Sequence, residues 1–144
     1  MILPDANLLL YAYDESNPFH GKAKAWCEGV MTGPSPVILV PVVAFAFVRI
    51  ATHPRVFHEP LAVAEAAAHV RAWLGRSHVQ WHEMLPEDAE VALSFLETAG
   101  TAGNLTSDAQ IAAVAKRLDA EVHTSDLDFG RFPGVRFVNP LKPE

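Results

Sequence analysis

The stretch Ser107-Asp108-Ala109-Gln110-Ile111-Ala112-Ala113-Val114-Ala115-Lys116-Arg117-Leu118, with Glu121-Val122-His123-Thr124 and Ser125-Asp126-Leu127-Asp128 close behind it, decides the fold class. Ile111, Ala112, Val114 and Ala115 recur at helical spacing, which predicts a helix over 107–118 with one apolar face. Residues 121–124 read as a short strand, 125–128 as a turn and 135–138 as a last strand. A long helix feeding directly into a very short strand is the pattern of an α/β domain.

Outward from that stretch the pattern repeats. Ile2-Leu3-Pro4 is a short strand that runs into Asp5, a good N-cap because its carboxylate accepts the free N–H groups of a first helical turn. Leu8, Leu9, Ala12 and Tyr13 continue at helical spacing, and Asn17-Pro18 stops that helix, since proline disfavours helical geometry in the residue before it. A second amphipathic helix is predicted from Phe19 to about Met31. Val37-Ile38-Leu39-Val40, after a Gly/Pro-rich turn, has the continuous apolar character of a buried parallel strand. Pro41 suits the opening of the next helix, over 42–52. Further helices are expected over 61–74 and 86–99, with a weak strand at 78–81 between them. Short strands alternating with helices imply one α/β domain over 1–144 with a mostly parallel sheet.

Composition narrows the function classes. Half of the 144 residues are apolar, enough for a real core. Eleven Lys and Arg against seventeen Asp and Glu leave a formal charge of −6, which excludes a nucleic-acid coat held on by bulk basicity. The single cysteine, Cys27, supports neither an internal disulfide nor a cysteine zinc site. No apolar run approaches the roughly 18 residues of a membrane span. The N-terminus lacks a secretory signal, so a cytoplasmic location with no membrane partner is expected.

The chemistry concentrates at one end of the expected sheet. In open α/β sheets the functional crevice lies beyond the carboxyl ends of the strands. Asp5 follows the first strand, Asp126 and Asp128 follow the strand at 121–124, and Asp108 opens the helix before it. Like charges gathered there are costly unless a cation sits among them, so the group implies a bound divalent metal. Oxygen donors without cysteine favour Mg²⁺ or Mn²⁺ over zinc, and such a site suits hydrolysis of a phosphodiester by an activated water.

Four stretches together resemble one family: Asp5-Ala6-Asn7-Leu8-Leu9-Leu10-Tyr11-Ala12; Phe47-Val48-Arg49-Ile50-Ala51-Thr52-His53-Pro54-Arg55-Val56-Phe57; Gly103-Asn104-Leu105-Thr106-Ser107-Asp108-Ala109; and Thr124-Ser125-Asp126-Leu127-Asp128-Phe129-Gly130-Arg131-Phe132. They are similar to PIN domains and, more narrowly, to the VapC toxins of bacterial type II toxin–antitoxin pairs. The resemblance implies a three-layer α/β/α domain and an endoribonuclease that uses Mg²⁺, with Mn²⁺ as substitute. It assigns Asp5, Asp108 and Asp126 as catalytic, metal-binding carboxylates and Asp128 as a further acid. Asn7, Thr124 and Ser125 fall on its small polar positions. It also implies an RNA substrate, a small cognate antitoxin and self-dimerisation. One position departs from the pattern: Ala46 stands where many PIN nucleases carry a Glu. That substitution implies weaker metal affinity and raises the alternative of a catalytically weakened RNA- or antitoxin-binding module.

The remaining residues divide simply. Arg49 and Arg55 are candidates for RNA phosphate contacts, weighed against ordinary helix-end caps. The His53/His58 and His78/His82 pairs lack a third metal ligand and read as surface or core histidines. Trp26, Trp73 and Trp81 are expected in the core. Val43, Phe45 and Phe47 make their helix apolar on more than one side, so an interface is expected there. Asn7 stands where an aspartate-nucleophile phosphatase needs a second acid, which leaves that reading weak.

Overall fold

The computed structural model describes residues 1–142. In chain order its elements are β1 (Ile2–Pro4), α1 (Ala6–Tyr11), α2 (His20–Thr32), β2 (Val37–Leu39), α3 (Pro41–Ala51), α4 (Val63–Leu74), β3 (Val79–Trp81), α5 (Pro86–Ala99), α6 (Leu105–Leu118), β4 (Glu121–His123) and β5 (Phe137–Val138). A 3-10 turn occupies Leu127–Arg131. The strands form one sheet in the order β3-β2-β1-β4-β5, flanked by helices. Every pairing is parallel, which sharpens the expected mostly parallel sheet. Even β4 and β5, joined without an α-helix, are parallel: their connection is about the dozen residues that a parallel crossover needs.

Several boundaries differ from the sequence expectation, each for a local reason. α1 stops at Tyr11 rather than near Asn17. Asp14 accepts from Ser16 N and Oγ, and Asn17 accepts from Phe19 N, so side chains replace helical backbone bonds in this turn. α6 begins at Leu105, two residues before the expected start, which puts Asp108 in its first turn. β4 ends at His123, leaving Thr124 just past the sheet.

The core runs along both faces of the sheet, with Leu3, Leu8, Leu9, Ile38, Val43, Phe47, Val114 and Val122 fully buried. Trp73 belongs to it, packed edge-on to Phe47 at 4.8 Å between ring centroids. Trp81 does not. It ends β3, an edge strand with a neighbouring strand on one side only, and is 40% exposed. Trp26 is half-buried and its indole N–H donates to His123 Nδ1 at 3.0 Å. On α3, Val43 and Phe47 turn inward while Phe45 is 67% exposed, so the surplus apolar surface narrows to that side chain and its neighbours. Cys27 is a buried free thiol, pushed up to about 11 by burial. No described helix is long and apolar enough to cross a membrane.

α6, which carries Asp108, is held against α5 by a buried ion pair. Arg117 Nε donates to both oxygens of Asp88 at 2.9 Å, and Asp88 Oδ2 accepts from Leu85 N at 2.8 Å to close the start of α5. The chain therefore fixes the helix that delivers Asp108 at a point distant from the carboxylate itself.

Candidate metal centre

The strand order determines where a site forms. From β1 the chain moves outward through β2 and β3, then returns to place β4 on the other side of β1. Between β1 and β4 the direction of winding reverses, and the crevice at such a reversal is where α/β sheets bind ligands. Pro4 pairs with His123 in register, so Asp5 and Thr124 leave the sheet side by side. α6 runs back toward the start of β4, and its first turn brings Asp108 to the same edge.

Thr124 organises this edge. It is 1% exposed, and its hydroxyl donates to Asp5 Oδ2 at 2.8 Å. Thr124 Oγ1 in turn accepts from Asp126 N at 2.9 Å and from Asn7 Nδ2 at 3.5 Å. Asp5 Oδ1 accepts from Ala6 N at 2.7 Å, the expected N-cap. Asp126 Oδ1 accepts from Asp128 N at 2.9 Å and starts the 3-10 turn, which aims both aspartates at the crevice. Asn7 Oδ1 accepts from Ser125 N at 3.5 Å, and Tyr11 Oη lies 3.4 Å from Ser125 Oγ. The supporting polar residues read from the sequence thus share one hydrogen-bonded network beneath the acids.

Three carboxylates converge: Asp108, Asp126 and Asp128 each place an oxygen within 4.8 Å of the others. Asp5 lies outside that group, turned to Ala6 and Thr124, yet close enough for its charge to act on Asp108 and to feel Asp126. The electrostatics record the crowding. Asp108 is pushed up to about 7, first by burial, then by the charges of Asp5 and Asp126, a hydrogen bond with Asp126 and the charge of Asp128. Burial also raises Asp5, against the hydrogen bonds from Thr124 and Ala6. Near neutral pH the group thus retains a proton that a cation would replace. The donors are all carboxylate oxygens, which fits a hard divalent cation and gives a soft one no thiolate.

Among the described residues the remaining candidates add no ligand to this group. α3 contributes no acid, and Ala46 is partly buried against the core. Arg49 lies in the last turn of α3 and Arg55 in the turn that follows, both exposed, and neither bonds to these carboxylates among the described residues. His78 Nε2 meets Val30 O at 2.9 Å and His82 Nε2 meets Gln80 Oε1 at 3.0 Å, and among the described residues no histidine joins a group of three metal-ligating side chains. A hollow of about 330 Å³ beside Tyr13, Asp14 and Glu59 contains none of the four aspartates.

Residues 2–135 match the PIN-domain family. The chain belongs to that family. As a PIN domain it is 42% identical over 142 residues to Ribonuclease VapC33 of Mycobacterium tuberculosis, covering 99% of each chain. It is 35% identical over 140 residues to Ribonuclease VapC37 of the same species, covering 97% of each. The fold also matches the crystal structure of M. tuberculosis VapC20, described as a sarcin-ricin-loop-cleaving toxin, with a TM-score of 0.69 and 20% identity over 94% of this chain and 99% of that one. A similar match, with a TM-score of 0.68 and 19% identity, is to FitAcB from Neisseria gonorrhoeae, over 97% of this chain and 98% of that one. The expectation of a VapC-like PIN domain therefore holds.

Proposed function

We propose that this PIN domain is a metal-dependent endoribonuclease, the toxin of a toxin–antitoxin pair, with Mg²⁺ as cofactor and Mn²⁺ as substitute. The observation that carries the reading is the convergence of Asp108, Asp126 and Asp128 at the β1/β4 crevice of a chain so similar to proteins named ribonucleases. Asp5, Asp108, Asp126 and Asp128 are the residues that would hold the ion. Bound there, a divalent cation supplies Lewis acidity toward water and toward a phosphodiester. Thr124 holds Asp5 and the Asp126 backbone in place, a positioning role. Asp108, the carboxylate most crowded by its neighbours' charges, would be relieved most by the cation. Arg49 and Arg55 are exposed cations suited to phosphate contacts farther along the RNA.

Capture by a small antitoxin belongs to the same reading, supported by fold neighbours described as toxin–antitoxin complexes, among them one from Klebsiella pneumoniae with a TM-score of 0.63. Self-association through apolar side chains such as Phe45 belongs to it as well. Purified protein with Mg²⁺ is expected to cut RNA, and Asp5→Asn is expected to abolish the cutting. Equal cleavage by both would refute the assignment.

A second reading rests on Ala46 and the acid-free α3: a binding module that keeps the fold without turnover. Calorimetry separates the two, because a binding module of this kind would take up no Mn²⁺ at millimolar concentration.

A further inference from the structure

Beside the carboxylates runs a groove that the hydrolytic chemistry does not use. One hollow, of about 280 Å³, is walled by Tyr11 and Phe19 and lined by Ser125, Asn139 and Lys142. A second, of about 330 Å³, shares Ser125, Asn139 and Lys142 and extends to Leu127 and Asp126. The two hollows adjoin along Ser125, Asn139 and Lys142, and the second reaches Asp126 of the proposed metal centre. Its walls are unusual for a surface. Phe19 is 50% exposed and pairs with Tyr11 at 6.0 Å between ring centroids, and Leu127, between the two aspartates of the 3-10 turn, is 68% exposed. The contact from Tyr11 Oη to Ser125 Oγ fixes the tyrosine ring, so the aromatic wall is preorganised.

The polar groups in the groove are equally specific. Asn139 Oδ1 is occupied by Leu141 N at 3.0 Å, which leaves its Nδ2 amide to donate. Lys142 adds one exposed ammonium, and the hollow nearer the aromatic wall contains no carboxylate. Flat apolar faces, one amide donor and one cation beside a hydrolytic centre suit a nucleotide, whose base stacks, whose edge carries an acceptor and whose phosphate is anionic.

We infer that the Phe19–Tyr11–Asn139–Lys142 groove seats one unpaired nucleotide of the RNA next to the phosphodiester to be cut. The base stacks on Phe19 and Tyr11, Asn139 Nδ2 donates to an acceptor on the base edge, and Lys142 meets the phosphate. Leu127 packs against the neighbouring sugar or base as the strand passes over Asp126. Bases inside a duplex are already stacked on both faces and cannot enter, so the groove selects unpaired segments. The inference rests on the ribonuclease reading but concerns binding, which is measurable without turnover.

The test is the equilibrium affinity of full-length protein for a fluorescein-labelled, unstructured 12-nucleotide RNA, followed by anisotropy with Mg²⁺ present. An Asp108→Asn background prevents hydrolysis, and Asp108 does not line the groove. Adding Phe19→Ala is expected to weaken binding at least ~5-fold, the loss typical of one stacking ring. Phe19→Tyr should restore it to within about twofold, and annealing the complementary strand should weaken binding to the parent protein. Phe19 is exposed, so these variants are expected to fold, and matched melting temperatures would verify it. Equal affinity of the Phe19→Ala and parent proteins, or no binding by the parent, overturns the inference. So does unchanged RNA affinity with loss of an antitoxin from the purified complex, which would assign the groove to a protein. Failure of the wild-type chain to cut RNA with Mg²⁺ would instead count against the ribonuclease reading, and the anisotropy result would stand apart from it.

Discussion

The crowded carboxylates carry a cost in the metal-free protein, and Asp108→Asn is the perturbation that measures it. The Asp108 carboxyl moves from an ordinary 3.8 to about 7 on folding, mainly through burial and the charges of Asp5 and Asp126. A raised carboxyl pKa means that the folded state binds this proton more tightly than the unfolded chain does. Its contribution to stability is therefore fully present below about 3.8 and is lost as pH rises toward about 7. At ~1.4 kcal/mol per pH unit the full span is worth at most ~4 kcal/mol. Asp108 is only half-buried, so solvent screening reduces this to roughly 1–2 kcal/mol. For a chain of this size that corresponds to roughly 3–6 °C in Tm. Asparagine keeps the shape and removes the charge. In EDTA, Asp108→Asn should melt close to wild type near pH 4 and above it by that margin at pH 8, by circular dichroism. Because His69 and His123 are lowered by burial, they pull stability the opposite way in acid, and comparing the two proteins at each pH cancels them. Adding Mn²⁺ at pH 8 should then raise the wild-type Tm more than that of the variant. Equal melting of the two proteins at pH 8 would refute the argument that these carboxylates repel one another.

Thr124→Val removes the hydroxyl that links Asp5 to the Asp126 backbone, and should weaken Mn²⁺ binding ~10–100-fold by calorimetry, with Thr124→Ser recovering most of it. Arg117→Ala strips a buried carboxylate of its partner and should cost roughly 3 kcal/mol in urea unfolding, while leaving residual RNA cleavage per folded molecule intact. Ala46→Glu should raise Mn²⁺ affinity about 10-fold or more if the chain is a nuclease short of one ligand, whereas unchanged affinity favours the binding module.

Most of the scaffold was legible because it is written locally. The apolar period of 107–118, the cap at Asp5 and the run at 37–40 each specify an element without help from distant residues, and the elements formed accordingly. Their order implied a parallel sheet, and the carboxylates that follow strand ends pointed to one edge. What the sequence alone could not convey depends on register. Thr124 reads locally as one more hydroxyl; its role emerges only because Pro4 pairs with His123, which sets two residues 119 positions apart side by side. Asp5 reads as equivalent to the other acids, yet its hydrogen bonds to Ala6 and Thr124 turn it away from the group of three. Trp81 reads as core from its apolar character, and only the strand order reveals that β3 is an edge. The groove was hidden for the same reason. Tyr11 ends α1 and Phe19 precedes α2, while Asn139 and Lys142 follow β5 in a tail with no periodicity to single them out.

Whether the acidic crevice and a divalent ion together cut RNA is read from the initial rate of hydrolysis of total bacterial RNA at saturating Mg²⁺ by wild type and by Asp126→Asn. Asparagine at 126 retains the Oδ1 that accepts from Asp128 N, so the turn should survive while the charge is lost. Wild type should give discrete products with Mg²⁺ and none in EDTA, and the variant a rate at least roughly 100-fold lower. Comparable rates from the two proteins, or cleavage that persists in EDTA, would contradict metal-dependent cleavage by the crevice.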